Sequence, residues 1–122
     1  MTHKEAAVEF LQLVVANKVR EAYQRYVAPK FRHHNPYFKG DGPSLMKGME
    51  ENAAKNPNKV LNVKSAVAEG DRVVVFSHIQ PKTGDSGVAA VHIFRFEGMR
   101  IAELWDIGQP VQEKSVNENG MF

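Results

Sequence analysis

The sequence predicts an α+β domain with a helical half followed by a stranded half. Three observations predict it. Apolar residues recur at helical spacing as far as Ala53, the pattern shortens to a strand-like period after Lys59, and turn residues interrupt that second half at Glu69-Gly70-Asp71, across 81–87 and at Gly98. Helices followed by antiparallel strands bury their apolar faces against each other in two layers. Strands this long for the chain length suit a strongly curved sheet that cups the helices. A cup has an open mouth, and a mouth can hold a ligand.

Each element has its own warrant. From Lys4 to Val15, Ala7, Val8, Phe10, Leu11, Val14 and Val15 make the stripe of an amphipathic helix. Asn17 is read as the cap of a second helix, whose apolar face is Val19, Ala22, Tyr23 and Tyr26 and which Pro29 ends soon after Val27. The segment from Phe31 to Lys39 lacks a clear period and contains Pro36, so it reads as a loop. Asp41-Gly42-Pro43 opens a third helix lined by Leu45, Met46, Met49 and Ala53, and Asn56-Pro57-Asn58 closes it. Strands follow at Val60–Glu69, Arg72–Gln80, Val88–Glu97 and Arg100–Gln109. One domain over 1–122 is expected, with its core at about 4–109 and a polar tail at 110–122.

Composition narrows the chemistry. With no cysteine, the chain has no disulfide, thiolate metal site or cysteine nucleophile. Lys+Arg 16 against Asp+Glu 14 leaves +2, and the basic residues are scattered, so no nucleic-acid footprint is expected. No apolar run approaches the roughly 20 residues that cross a bilayer, and Glu5 and Glu9 break the N-terminal apolar stretch. A soluble, cytoplasmic protein without membrane partners is the expectation. There is no Walker A, no H-E-x-x-H and no G-x-S-x-G; Gly40-Asp41-Gly42 is too short for a dinucleotide fingerprint. No cofactor is expected. Lys64 comes nearest to a strand lysine but sits among polar neighbours, so amine-dependent covalent catalysis is not expected.

Polar residues inside apolar strands carry the functional reading. Alternation groups Val74, Phe76, His78 and Gln80 on one face, Ala90, His92, Phe94 and Phe96 on another, and Ala102, Leu104, Asp106 and Gly108 on a third. If the Phe76, Phe94 and Leu104 faces point into the cup, His78, His92 and Asp106 meet there. A two-residue turn at Gly98-Met99 would instead place His92 opposite Trp105, whereas a longer turn or a bulge restores the convergence. Asp106 lies between Trp105 and Ile107, where a carboxylate is costly unless exposed, paired or functional. Burial would raise its pKa and a protonated histidine would oppose that. His33-His34-Asn35-Pro36 is a second polar cluster.

Several motifs in order carry a resemblance. They are Arg20-Glu21-Ala22-Tyr23, Phe31 to Pro36 ending in His-Asn-Pro, Gly70-Asp71-x-Val73, His78, Ile93-Phe94-Arg95 and Glu103-x-Trp105-Asp106-x-x-Gln109. From about Phe10 to Gln109 the chain resembles the SnoaL-like polyketide cyclase branch of the nuclear transport factor 2-like superfamily, close to predicted aldol-condensation enzymes. The resemblance implies an α+β cone, N-terminal helices packed on a strongly curved antiparallel sheet, a pocket between them, and a homodimer. It also implies that Asp106 is the acid/base, that His92 is the histidine fourteen residues earlier, that His34 and Asn35 lie near the pocket, and that His78 is the strand histidine. The chain departs from close relatives in carrying His92 for Asp, and Phe76 and Leu104 for His.

The expected function is metal-free acid/base chemistry on a small hydrophobic carbonyl compound. Asp106 would take the α-proton while His92 or His78 hydrogen-bonds the developing enolate oxygen. His34, Asn35, Phe76, Phe94, Leu104 and Gln109 would bind substrate. Two alternatives stand beside it: a metal site of His78, His92 and Asp106, with or without His34, and a non-catalytic binding or dimerisation module.

Overall fold

In the computed structural model, which describes residues 1–122, the chain opens with α1 (His3–Val15). Thr2 and Glu5 form a reciprocal capping box at its start, satisfying two N–H groups that a helix leaves unpaired. At its end, Asn17 has φ +62°, its N–H donates to the Val14 carbonyl, and the Lys18 N–H donates to the Leu13 carbonyl. That is a Schellman closure of α1, with Asn in the left-handed position it tolerates better than most residues. Asn17 therefore ends the first helix instead of capping the second. α2 (Val19–Tyr26) starts from Lys18 with no side-chain cap.

The segment expected to be a loop begins as a strand. β1 (Val27–His34) runs parallel to the last strand, pairing His33 with Leu104 and His34 with Trp105. Pro29 lies in the register shift between Val27 and Arg32, at the sheet edge, where a missing N–H costs no ladder bond. The strand was illegible by period because a neighbour from the far end of the chain creates it. α3 (Gly42–Lys55) follows, with Asp41 Oδ1 accepting from the Ser44 N–H at 2.8 Å and Pro43 in the first turn.

The remaining strands are β2 (Val60–Glu69), β3 (Arg72–Gln80), β4 (Val88–Glu97) and β5 (Arg100–Pro110). The sheet order is β1-β5-β4-β3-β2, antiparallel except for β1, so three helices pack on a curved mixed sheet and not on a purely antiparallel one. Ala6, Ala7, Phe10 and Leu11 of α1, Ala22 and Tyr26 of α2, and Leu45 of α3 bury against Val73, Val75, Phe94, Phe96, Ile101 and Leu104 of the sheet. No helix is long and apolar enough to cross a membrane.

One irregularity sets the geometry that matters later. Glu97 pairs with Arg100 across a two-residue turn, with Gly98 at φ +60°, and Phe96 pairs with Ile101. The next pair is Arg95 with Glu103, so Ala102 is an extra residue absorbed in a bulge. From there Phe94 faces Leu104 and His92 faces Asp106.

On the opposite, outer face, Glu103 fastens three elements. It accepts from Arg32 at 2.9 and 3.2 Å, from Arg95 at 3.2 Å and lies 2.6 Å from His34 Nε2, while its own side chain is only 6% exposed. Hydrogen bonds from Arg32, opposed by burial and joined by those of His34 and Arg95, hold its carboxyl down at about 2, against an ordinary 4.5. The tail after Pro110 forms no helix or strand and returns to this face, where the Phe122 ring lies 5.5 Å from that of Phe76 and 4.5 Å from that of His78.

Two outcomes test this packing. Phe94→Ala should cost about 3–5 kcal/mol in urea unfolding, because it empties a fully buried ring site; a near-unchanged midpoint would contradict its place in the core. Glu103→Gln should cost about 1–3 kcal/mol at neutral pH. Because the folded carboxyl is the more acidic one, its contribution is complete above pH 4.5 and is lost as pH falls towards 2. The unfolding midpoints of wild type and variant should therefore converge in acid.

Candidate functional site

Strand pairing places side chains in rows across the sheet, alternately inside and outside the cup. One inner row runs Ala66, Val75, His92, Asp106. β1 extends it: with His33 beside Leu104 and His34 beside Trp105, the next residue, Asn35, arrives beside Asp106. The Asn35 Nδ2 donates to Asp106 Oδ2 at 2.8 Å, and His92 Nε2 lies 3.3 Å from Asp106 Oδ1. Each carboxylate oxygen thus faces one nitrogen donor.

The Asn35 amide is oriented by its own turn. Its Oδ1 accepts from the Tyr37 N–H at 3.0 Å, an Asx turn that leaves the NH2 group to face Asp106. His33 braces the same turn from below. It is 5% exposed, its Nδ1 accepts from the Asn35 N–H at 3.1 Å, and its Nε2–H reaches the Lys39 carbonyl. Pro36 begins the loop directly after Asn35, so the strand ends where its amide meets the carboxylate.

These groups border a cavity of about 440 Å³ between sheet and helices. Leu11, Val14 and Val15 of α1, Leu45 and Met49 of α3, and Leu61, Ile79 and Val88 of the sheet line it. Its polar members are Asn35, Asn52, Asn56, Lys59, His92 and Asp106. Tyr37 and Phe38 lie at its edge, and Phe38 packs over Gly48, where a Cβ would fall 2.3 Å from the ring. A site of this size, apolar with few convergent polar groups, suits a small organic molecule.

The electrostatics keep Asp106 charged. Burial alone pushes its carboxyl up, but hydrogen bonding and charge at His92, with the Asn35 amide, outweigh that and hold it below its ordinary value. The balance of these two forces falls on the acidic side. His92 is itself buried and its Nδ1 has no hydrogen-bond partner. Its Nε2 is the ring nitrogen turned to Asp106.

Several expected site residues lie elsewhere. His78 and Phe76 are on the outer face: Val73, Val75 and Ser77 are the buried, inward residues of β3, while His78 Nε2 lies 2.7 Å from the Ser86 carbonyl oxygen. Val73, Val74, Val75 and Phe76 are all apolar, so alternation could not identify the inner face. His34 also faces outward, stacked on Trp105 at 5.0 Å and joined to Glu103, and Gln109 lines an outer groove with Phe76, Val91 and Ile107. The His78–His92–Asp106 metal site, with or without His34, is therefore not assembled, and no group of three or more His, Asp or Glu side chains is gathered elsewhere. Phe94 and Leu104 do face inward but are fully buried beneath the cavity, in the core.

Sequence reasoning missed Lys59 altogether. It precedes β2 by one residue, between the end of α3 and the strand; it lines the cavity, and its ammonium donates to Asn52 Oδ1. Burial lowers its pKa, and the negative charge of Asp106 opposes that shift. The only signal was position: a lysine where a helix end meets a strand start lies at the rim of a helix-on-sheet cup.

Comparison with known proteins agrees with this architecture. An NTF2-like protein of unknown function from Cytophaga hutchinsonii superposes with a TM-score of 0.72 at 19% identity, covering 90% of this chain and 92% of that one. IdmH of Streptomyces antibioticus, proposed to be a polyketide cyclase, gives a TM-score of 0.73 at 18% identity over 89% and 93%. A protein of the SnoaL-like family from Agrobacterium tumefaciens, proposed to be an isomerase, gives 0.74 at 15% over 89% and 99%. At these identities the likeness concerns the fold. No curated protein matches the chain by sequence. The model of the SnoaL-like polyketide cyclase family, however, matches residues 5–112, nearly the whole chain, and the chain belongs to that family.

Proposed function

We propose that the protein catalyses proton transfer next to a carbonyl, of the kind needed in an aldol cyclisation or an isomerisation, with Asp106 as the proton acceptor. The observation that carries this reading is a partly exposed carboxylate, 23% accessible, at the wall of an apolar cavity, hydrogen-bonded by the Asn35 amide and with His92 Nε2 at 3.3 Å from its other oxygen. His92 and Asn35 act through it: they fix its orientation and keep it ionised. Leu11, Val14, Leu45 and Met49 supply an apolar wall for the rest of the substrate.

The lowered Asp106 pKa constrains the substrate. Every unit of mismatch between a carbon acid and its base adds about 1.4 kcal/mol to the transfer. A carboxylate held below its ordinary value suits a carbon acid that is already activated, such as a CH between two carbonyl groups. The carboxylate takes that proton and becomes the carboxylic acid, and the substrate becomes the enolate, which then attacks a carbonyl or is reprotonated elsewhere.

Asp106→Asn is close in shape but cannot accept the proton. In D2O, the enzyme-dependent exchange of the central proton of 3-methyl-2,4-pentanedione, followed by NMR, should fall about 10²- to 10⁴-fold. Exchange at the parent rate would remove Asp106 from the role.

A second copy of the chain is our proposed partner for the outer sheet face, where Val67 and Ile107 are 65% and 54% exposed. Light scattering should give the mass of two chains, and Ile107→Glu should shift it towards one. A parent protein that scatters as one chain would exclude this pairing.

A further inference from the structure

We propose that Lys59, with Asn52 beside it, forms a carboxylate-binding subsite, so that the molecule acted on at Asp106 is an anionic carbonyl compound such as an oxo acid. The proposal rests on the acid/base reading above and adds the substrate's charge to it.

Lys59 is unlike the other basic side chains of the chain. Every other lysine is exposed to water. Arg20, Arg25, Arg32 and Arg95 each have a carboxylate within 4 Å: Glu50, Glu9 and Glu21, Glu103, and Glu97 with Glu103; Arg72 and Arg100, which have none, are exposed. Lys59 is partly buried and has no carboxylate within that distance; the one hydrogen bond of its side chain goes to the neutral Asn52 Oδ1. An ammonium has three N–H donors, so two remain unengaged. A cation drawn partly out of water without a counter-ion is unfavourable unless a ligand supplies one.

The surroundings favour an anion from the cavity side. Lys59 is the only lysine or arginine among the lining residues, and the side-chain acceptors that share the lining, apart from Asp106, are the neutral amides of Asn35, Asn52 and Asn56, the Tyr37 hydroxyl and the His92 ring. Asp106, the only carboxylate of the lining, is already engaged by His92 and Asn35. The cavity therefore has two poles, a satisfied anion that can take a proton and a cation with spare donors. An oxo acid fits both when its carboxylate meets Lys59, its acidic C–H meets Asp106, and its apolar remainder lies along α1 and α3.

The test compares two probes of one shape. 4-Phenylbutanoate and 4-phenylbutanamide differ in charge and little else, and calorimetric titration measures both against the intact protein. The parent should bind the carboxylate about ten- to a hundredfold more tightly, the scale of charge-assisted hydrogen bonds. Lys59→Met should abolish that preference while changing amide affinity by less than about threefold, and Lys59→Arg should retain it. Equal binding of the two probes by the parent, binding of neither, or a preference that survives Lys59→Met would each overturn the subsite. Should Lys59→Met fail to fold, the parent's preference and its retention in Lys59→Arg decide the matter. Asp106→Asn separates the two readings. If the preference persists in Asp106→Asn but diketone exchange is unaffected, the subsite stands and Asp106 is not the base. If exchange is lost without any preference, Asp106 stands and the subsite falls.

Discussion

The bulge at Ala102 is the constraint on which the candidate site depends. A two-residue turn alone would pair His92 with Trp105 and put the carboxylate of Asp106 out of step with the imidazole. One extra residue shifts the rest of β5 by one position against β4, so that His92 and Asp106 share an inner row. Because β1 takes its register from β5, the same shift decides which residue at the end of β1 arrives beside Asp106, and that residue is Asn35, directly after the strand. Two side chains from neighbouring strands and a third from the residue that follows β1 thus owe their meeting to one irregular position in a hairpin.

The sheet keeps two kinds of charge apart by using both faces. Outside, Glu103 is surrounded by Arg32, Arg95 and His34 and serves to clamp the parallel edge strand. Inside, Asp106 is less heavily neutralised and borders apolar space. Both carboxylates are more acidic than usual, but for different ends. Glu103 has little exposed surface from which to meet a ligand, whereas Asp106 retains some. A perturbed carboxylate is evidence of function only where a ligand can reach it.

Histidines illustrate how little residue type says by itself. Of the five, His33 braces a turn from the core, His34 stacks on Trp105, His78 packs beneath Phe122, and His3 stacks on Phe96 near the Gly98 turn. His92 alone meets Asp106. Phe94 and Leu104 make a similar point about the apolar wall. Both lie on the inner face as alternation predicts, but α1 and its neighbours cover them, and the exposed part of that face begins one row further along.

Local pattern determined the elements. The helical stripes, the opening of α3 at Asp41-Gly42-Pro43 and the four strands β2 to β5 follow from spacing and turn chemistry that act over a few residues, and the ordered motifs carried the family. What tertiary structure decided was everything that depends on a distant neighbour. β1 is a strand only because β5 offers it a ladder, and the inner face of β3 could not be read where Val73 to Phe76 are apolar on both sides. Lys59 became a cavity residue only when α3 and β2 closed the rim around it. Side-chain direction has a period of two residues, so one bulge or one unreadable strand reverses it, while the identity of the strand itself is unaffected.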